Sequence, residues 1–105
     1  MGFFSSLLNS FTESGVEHAY RIYSNYGGSV EGMLREYKQY RNSRNLSEEY
    51  RDRYARQICN IMSSIKFVAI NGSPRDAQHA TELYKHLQYR YEDVFDELNI
   101  QKLTV

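Results

Sequence analysis

Two apolar seams on either side of a short turn constrain the fold of this chain most strongly. Before the turn, apolar residues alternate at spacings of three and four: Tyr54, Ile58, Ile61, Ile65 and Val68. After the turn, the same alternation continues through Ala77, Ala80, Tyr84, Leu87, Tyr91, Val94 and Leu98. This spacing is typical of helices that pack along one stripe. The sequence therefore predicts a long antiparallel helical hairpin with arms at about 46–70 and 74–98.

The turn itself carries signals for the end of one helix and the start of the next. Gly72 is placed to adopt the left-handed conformation after the first arm, and Ser73 to cap the second arm, with a proline directly behind it. Asp76 follows Ser73 by three residues, which predicts a variant of the capping box. Asn45 and Glu48 have the same spacing and predict another capping box at the start of the first arm.

The first arm is apolar on more than one side. Between Ile58 and Ile70 the only polar positions are Asn60, Ser63, Ser64 and Lys66. A helix with one face in water would be more polar, so this arm needs a second packing partner. Two shorter upstream patterns, at 16–26 and 30–37, can supply it. We therefore expect an all-α fold, a small helical bundle in which two or three shorter N-terminal helices cover the hairpin.

Length and composition indicate one small helical domain spanning 1–105, with a tail at 99–105. The formal net charge is zero, which argues against a whole-molecule field for nucleic acid or anionic membranes. Cys59 is the only cysteine, and its apolar surroundings in the sequence predict a buried, unreactive thiol. A chain that cannot form an internal disulfide fits a reducing compartment, so we expect a cytoplasmic protein.

The opening segment, residues 1–11, is amphipathic. One helical face carries Phe3, Phe4, Leu7, Leu8 and Phe11. Serines interrupt the apolar run, so the sequence predicts no transmembrane span here. Docking on the body of the protein is the favoured interpretation. Membrane-surface contact by residues 3–11 and N-myristoylation at Gly2 are the alternatives, although no basic residue precedes Arg21 to attract anionic lipid.

The sequence predicts no catalytic residue, no metal site and no cofactor. None of the three histidines stands three residues after a glutamate, as helical carboxylate metal sites require. His79 and His86 lie one heptad apart on the expected outer face of the second arm, where a solvated surface is the favoured interpretation. The serines cluster at helix caps, and no phosphate-binding loop or nucleophile elbow occurs. We therefore expect that the protein is not an enzyme.

Positive charge is concentrated between residues 35 and 56, which hold seven basic and four acidic side chains. Tyrosines are interleaved with the arginines, and this mixture is enriched both at protein interfaces and at sites that contact nucleic acid. The predicted partner-binding residues are Arg35, Tyr37, Lys38, Tyr40, Arg41, Arg44 and Arg51. A solvated face with packed tyrosine rings is the alternative that needs no partner.

Negative charge is concentrated near the end of the second arm, in the cluster Glu92, Asp93, Asp96 and Glu97. Acidic side chains near the end of a helix oppose its dipole, so helix stability does not explain them. They can pair with the basic segment of the same chain, with Asp96 or Glu97 near Arg51 or Arg53. They can also pair with that segment on a second copy, which would form an oligomer.

The predicted function is therefore a non-enzymatic protein–protein interaction module of the adaptor, inhibitor or assembly-factor kind. Its partner would be an unidentified protein or a second copy of the chain. The alternative is a small nucleic-acid-binding protein that uses the basic segment 35–56, although its four acidic residues weaken attraction to phosphates.

Overall fold

The structure is a computed structural model that describes residues 15–43 and 45–104. Within these residues every regular element is helical, and the five helices are α1 (Gly15–Tyr26), α2 (Val30–Tyr40), α3 (Glu48–Asn71), α4 (Pro74–Arg90) and α5 (Glu92–Leu98). The expected all-α bundle and its long hairpin, α3 against α4, are confirmed. The predicted segment 1–11 lies outside the described residues.

The helices form three columns around one core: α3 has the most extensive contacts with the two outer columns, and side chains of those two columns also contact each other. In one outer column, α1 and α2 follow one another antiparallel to α3, because Tyr20 contacts Ser73 at one end of α3 and Arg41 contacts Arg51 at the other. In the other outer column, α4 is followed by α5. Both α1 and α2 pack on α3, so the predicted second partner of the apolar first arm is confirmed.

Both predicted seams lie in one core. The buried positions of α3 and α4 repeat the heptad spacing, and α1, α2 and α5 contribute the rest. The fully buried apolar side chains include Val30, Leu34, Ile58, Met62, Ile65, Val68, Leu87, Val94 and Phe95. Cys59 is half-buried rather than fully buried, and burial raises the pKa of its thiol.

The second arm is interrupted at Tyr91, which the seam alone does not reveal. Its backbone leaves the helical region at φ −119° and ψ 38°, and α5 starts at the next residue. The Tyr91 ring stays buried, and its hydroxyl donates a hydrogen bond to Glu31 at 3.4 Å. The apolar spacing therefore continues across a break in the backbone, because the side chains of Tyr91 and Val94 still reach the same core.

The turn between the arms differs from the prediction in two ways. Gly72 is extended, at φ −74° and ψ 173°, so the predicted left-handed conformation is wrong. A Cβ on Gly72 would lie 2.8 Å from the Tyr20 hydroxyl, so glycine is needed here for close approach. The Ser73 N–H donates to that hydroxyl at 3.0 Å, and the Ser73 Oγ donates to Asp76. The reciprocal bonds of a capping box are therefore absent from this turn.

The first arm also starts two residues later than its predicted capping box. Ser47 is the N-cap, and its Oγ accepts a hydrogen bond from the Tyr50 N–H at 3.1 Å. Asn45 lies in the preceding loop, where its N–H donates to the Ser43 Oγ. The capping box at Asn45 is wrong because Ser47 offers the same chemistry closer to the apolar repeat.

Candidate protein interface

A pocket of about 430 Å³ opens where the end of α2 meets the start of α3. Tyrosines from both helices line the space between them, together with residues of the connecting loop. The lining residues are Glu36, Tyr37, Tyr40, Arg41, Ser43, Asn45, Leu46, Tyr50, Arg51 and Tyr54. We call this space the tyrosine pocket. It lies within the segment that the sequence marks as the candidate binding surface.

Two half-buried tyrosines are held in fixed positions by carboxylates. The Tyr37 hydroxyl donates to Glu97 of α5 at 2.9 Å, and the Tyr54 hydroxyl donates to Glu36 of α2 at 3.2 Å. Burial raises the pKa of each phenol to about 12, and the neighbouring carboxylate acts in the same direction. Both hydroxyls therefore remain protonated donors at physiological pH.

The other two tyrosines of the pocket keep about half of their surface in water. Tyr40 is 45% exposed and Tyr50 is 49% exposed. The ring of Tyr50 lies nearly parallel to that of Tyr54, with centroids 6.2 Å apart. Because an aromatic ring beside an apolar cavity can bury a large area at little entropic cost, Tyr40 and Tyr50 are the groups best placed to contact a partner.

The two arginines of the pocket have contacts within the chain. The Arg41 Nη2 lies 3.2 Å from Asp93, and its Nη1 lies 3.2 Å from Glu97 without the alignment of a hydrogen bond. The Arg51 Nη1 donates to the carbonyl of Arg41 at 2.7 Å. Arg51 thereby satisfies a carbonyl at the end of α2, where a cation is also favoured by the helix dipole.

The remaining predicted site residues lie around the tyrosine pocket or outside the described chain. Arg35 lines a shallow neighbouring groove on α2 that also contains Gly32 and Met33. Lys38 lies 3.6 Å from Asp93. Arg44 is outside the described residues. The lining residues that were not predicted as site residues are Glu36, Ser43, Asn45, Leu46, Tyr50 and Tyr54. The apolar Leu46 between two polar loop residues was a usable signal.

Within the chain, one half of the acidic cluster pairs with basic residues at the end of α2, and the other half pairs with Lys102 of the tail. Asp93 and Glu97 face α2, whereas Glu92 and Asp96 contact Lys102 at 3.8 and 3.3 Å. Partial burial raises the pKa of Asp93, but a hydrogen bond from the Val94 backbone and the charges of Lys38 and Arg41 outweigh it and lower that pKa overall. The expected contacts with Arg51 or Arg53 are wrong, because the carboxylates that face α2 pair with Lys38 and Arg41 instead. Arg53 pairs with Glu49, and Arg51 donates to the Arg41 carbonyl.

The two histidines of the second arm contact the outer column formed by α1 and α2. His79 Nδ1 is hydrogen-bonded to the Tyr23 hydroxyl, and His86 Nε2 lies 3.2 Å from Glu31. Both side chains nevertheless remain exposed, so the expected solvated surface is confirmed for these two residues. Between residues 15 and 104, leaving out 44, no group of three or more His, Cys, Asp or Glu side chains is arranged to hold a metal ion.

In comparisons with known proteins, no protein-family model, curated protein or solved structure matches this chain at a significant level. None of the described helices combines the length and apolar character needed to cross a membrane. Function must therefore be inferred from the geometry of the chain itself.

Proposed function

We propose that the protein is a non-enzymatic protein–protein interaction module of the adaptor, inhibitor or assembly-factor kind, and that it binds its partner through the tyrosine pocket. The observation that supports this proposal most directly is the half-exposure of Tyr40 and Tyr50 beside a cavity of about 430 Å³. Interface hot spots are enriched in tyrosine and arginine, and they cluster around such pockets. The free thiol of Cys59 fits action in the reducing cytoplasm.

Hydrogen bonds hold two tyrosine side chains of the pocket in place before a partner binds. Tyr37 and Tyr54 are anchored through Glu97 and Glu36, so less rotamer entropy is lost when a partner contacts their rings. The guanidinium of Arg41 is occupied by Asp93 and Glu97, so the pocket presents little uncompensated positive charge. Arg51 also lines the pocket, where Glu36 balances its charge and the Arg41 carbonyl accepts its hydrogen bond. These features favour an uncharged apolar or aromatic side chain of a partner protein over a phosphate.

Photocrosslinking tests this proposal even while the partner is unidentified. Benzoylphenylalanine replaces Tyr40 in one variant and Tyr89 in a matched control, because Tyr89 is 86% exposed on α4 and lies outside the pocket. Irradiation of the Tyr40 variant in cells should give a discrete protein adduct, or a crosslinked dimer if the partner is a second copy. Equal adducts from both positions, or adducts from neither, would contradict a partner at the pocket.

Nucleic-acid binding is the second candidate because Arg35 and Arg56 remain exposed on the same segment. Among the described residues, neither guanidinium lies within ion-pair distance of a carboxylate. Binding to single-stranded RNA and duplex DNA at low and at physiological salt distinguishes the two candidates. Salt-sensitive binding that is lost after Arg35→Glu and Arg56→Glu, but retained after Tyr40→Ala, would favour nucleic acid over a protein partner.

A further inference from the structure

The tail, residues 99–104, turns back at the end of α5 and lies along the α3–α4 hairpin. Asn99 has a left-handed backbone (φ 56°), and the Ile100 N–H donates to the Phe95 carbonyl at 2.9 Å, which closes α5 in a Schellman motif. The tail then contacts Lys66 of α3 and Tyr84 and Gln88 of α4. Tyr84 belongs to the core seam and Gln88 lies beside it, on the side away from His79 and His86, which contact the outer column.

The hairpin holds the tail mainly through the tail's own backbone. The Leu103 N–H donates to the Gln88 Oε1 at 2.7 Å, and the Gln88 Nε2 donates to the Leu103 carbonyl at 3.0 Å. The Tyr84 hydroxyl donates to the Gln101 carbonyl. A segment outside any helix or strand cannot satisfy its own backbone groups, and here one glutamine satisfies both groups of a single residue. Such contacts do not depend on which side chain the bound residue carries.

Side-chain contacts add selectivity to this backbone recognition. Ile100 and Leu103 are half-buried against the core, three residues apart. Lys102 lies 3.3 Å from Asp96 and 3.8 Å from Glu92. The site therefore selects a non-helical segment with two aliphatic residues three positions apart and a basic residue just before the second, as in Ile-Gln-Lys-Leu.

We propose that this groove is a peptide-binding site, that it accepts a non-helical segment of this pattern from a partner protein, and that the tail occupies it in cis as a built-in competitor. Charge complementarity favours such a segment, because Glu92 and Asp96 face the basic position. This inference does not depend on the tyrosine pocket, which lies between α2 and the start of α3 and shares no residue with the groove. A tethered competitor acts at an effective concentration of about millimolar. A partner must therefore bind tightly or be held nearby by a second contact.

The test uses a labelled peptide with the sequence of residues 99–104 and the full chain carrying Ile100→Asp and Leu103→Asp. The new carboxylates remove the apolar contacts and are repelled by Asp96, so the tail should leave the groove. We expect this variant to bind the peptide at least about tenfold more tightly than the wild-type chain, because the competitor is gone. Circular dichroism verifies that the variant stays helical. A helical variant that gains no affinity would overturn the proposal.

Two matched controls test the backbone recognition itself. Adding Gln88→Leu to the released variant should abolish the gain, and so should a peptide that is N-methylated at the residue equivalent to Leu103. Equal binding of the methylated and unmethylated peptides would show that Gln88 does not hydrogen-bond the peptide backbone, and would overturn that part of the proposal.

A measurement on the unaltered chain keeps the proposal testable if the released variant unfolds. Excess unlabelled peptide, at about a few millimolar, should shift the NMR signals of the Gln88 side-chain amide and the Leu103 amide together as the tail is displaced. No shift would overturn the proposal. A wild-type dimer that Gln88→Leu abolishes would assign the groove to the tail of a second copy and would overturn a separate partner.

Discussion

Arg41 of α2 and Glu97 of α5 form an ion pair, with Nη1 and Oε1 3.2 Å apart, and this pair joins the tyrosine pocket to the last helix. Glu97 also accepts the hydrogen bond of Tyr37, so one carboxylate positions both an arginine and a tyrosine of the pocket. The side chain of Arg41 is 22% exposed, and water therefore screens the pair less than it screens an ion pair on the open surface.

Replacing Arg41 with leucine should lower the free energy of unfolding by about 1–3 kcal/mol, because two carboxylates lose a charged partner. Arg53→Leu is the matched control, since the Arg53–Glu49 pair is 62% and 80% exposed. Arg53→Leu should lower the free energy of unfolding by less than about 0.5 kcal/mol. Urea denaturation measures both values. Equal losses for the two variants would show that the Arg41 contacts add nothing beyond an ordinary surface pair.

Truncation of the α3 seam should leave cavities in the core. Ile65 is fully buried and Ile61 is 6% exposed, so Ile61→Ala or Ile65→Ala should each cost about 2–5 kcal/mol. Ile70 lies on the same helix but is 63% exposed, and Ile70→Ala should change stability by no more than about 0.5 kcal/mol. Thermal or urea unfolding compares the three variants. If Ile65→Ala lowers the free energy of unfolding by less than about 1 kcal/mol, Ile65 does not belong to the core seam.

Two glycines should respond in opposite directions to alanine. A Cβ on Gly72 would lie 2.5 Å from the Val68 carbonyl oxygen and 2.8 Å from the Tyr20 hydroxyl, so Gly72→Ala should destabilise the protein by about 1–3 kcal/mol. A Cβ on Gly32 meets only the Arg35 guanidinium, at 3.8 Å. Gly32→Ala should raise stability by about 0.5–1 kcal/mol, because glycine is costly inside a helix. Melting temperatures of the two variants should therefore move apart, and a shift in the same direction would contradict the close approach at the turn.

Stability should decline between about pH 10 and 12, where unfolded tyrosines ionise. Burial raises the pKa of Tyr84 to about 12, so the folded chain keeps this proton while the unfolded chain loses it. The stabilisation is therefore complete below about pH 10 and is lost as pH rises through the folded-state value. The slope that Tyr84 adds is at most about 1.4 kcal/mol per pH unit. Urea denaturation at several pH values should show a shallower decline for Tyr84→Phe than for the wild-type chain. An unchanged slope would contradict the raised pKa.

The hairpin could be predicted from the sequence because its signal is repeated. Each apolar residue of the two seams adds evidence for the same helical period, and errors at single positions do not change the outcome. The details at the helix ends could not be predicted as well. The Asn45 box and the conformation of Gly72 each depended on one or two residues, and the structure replaced them with the Ser47 cap and the approach of Tyr20.

The tyrosine pocket was only partly predictable. The mixture of arginine and tyrosine located it, and Tyr37, Tyr40, Arg41 and Arg51 do line the cavity. The sequence pattern assigned these residues equal roles, because composition carries no information about neighbours distant in the chain. The structure distinguishes them. Arg41 pairs with a carboxylate of α5, Arg51 donates to a carbonyl at the end of α2, and Tyr40 remains half-exposed.

The amino-acid sequence by itself determined the helical class, the two long arms and their shared core, because periodic burial of apolar side chains is a local pattern with a large summed free energy. Only the tertiary structure decided where the charges are neutralised and that the tail covers part of the hairpin. The contact between Arg41 and Glu97 joins residues distant in the chain, and so does the contact between Gln88 and the Leu103 backbone. Each such contact is worth little compared with the core. It forms only after packing has brought its two groups together.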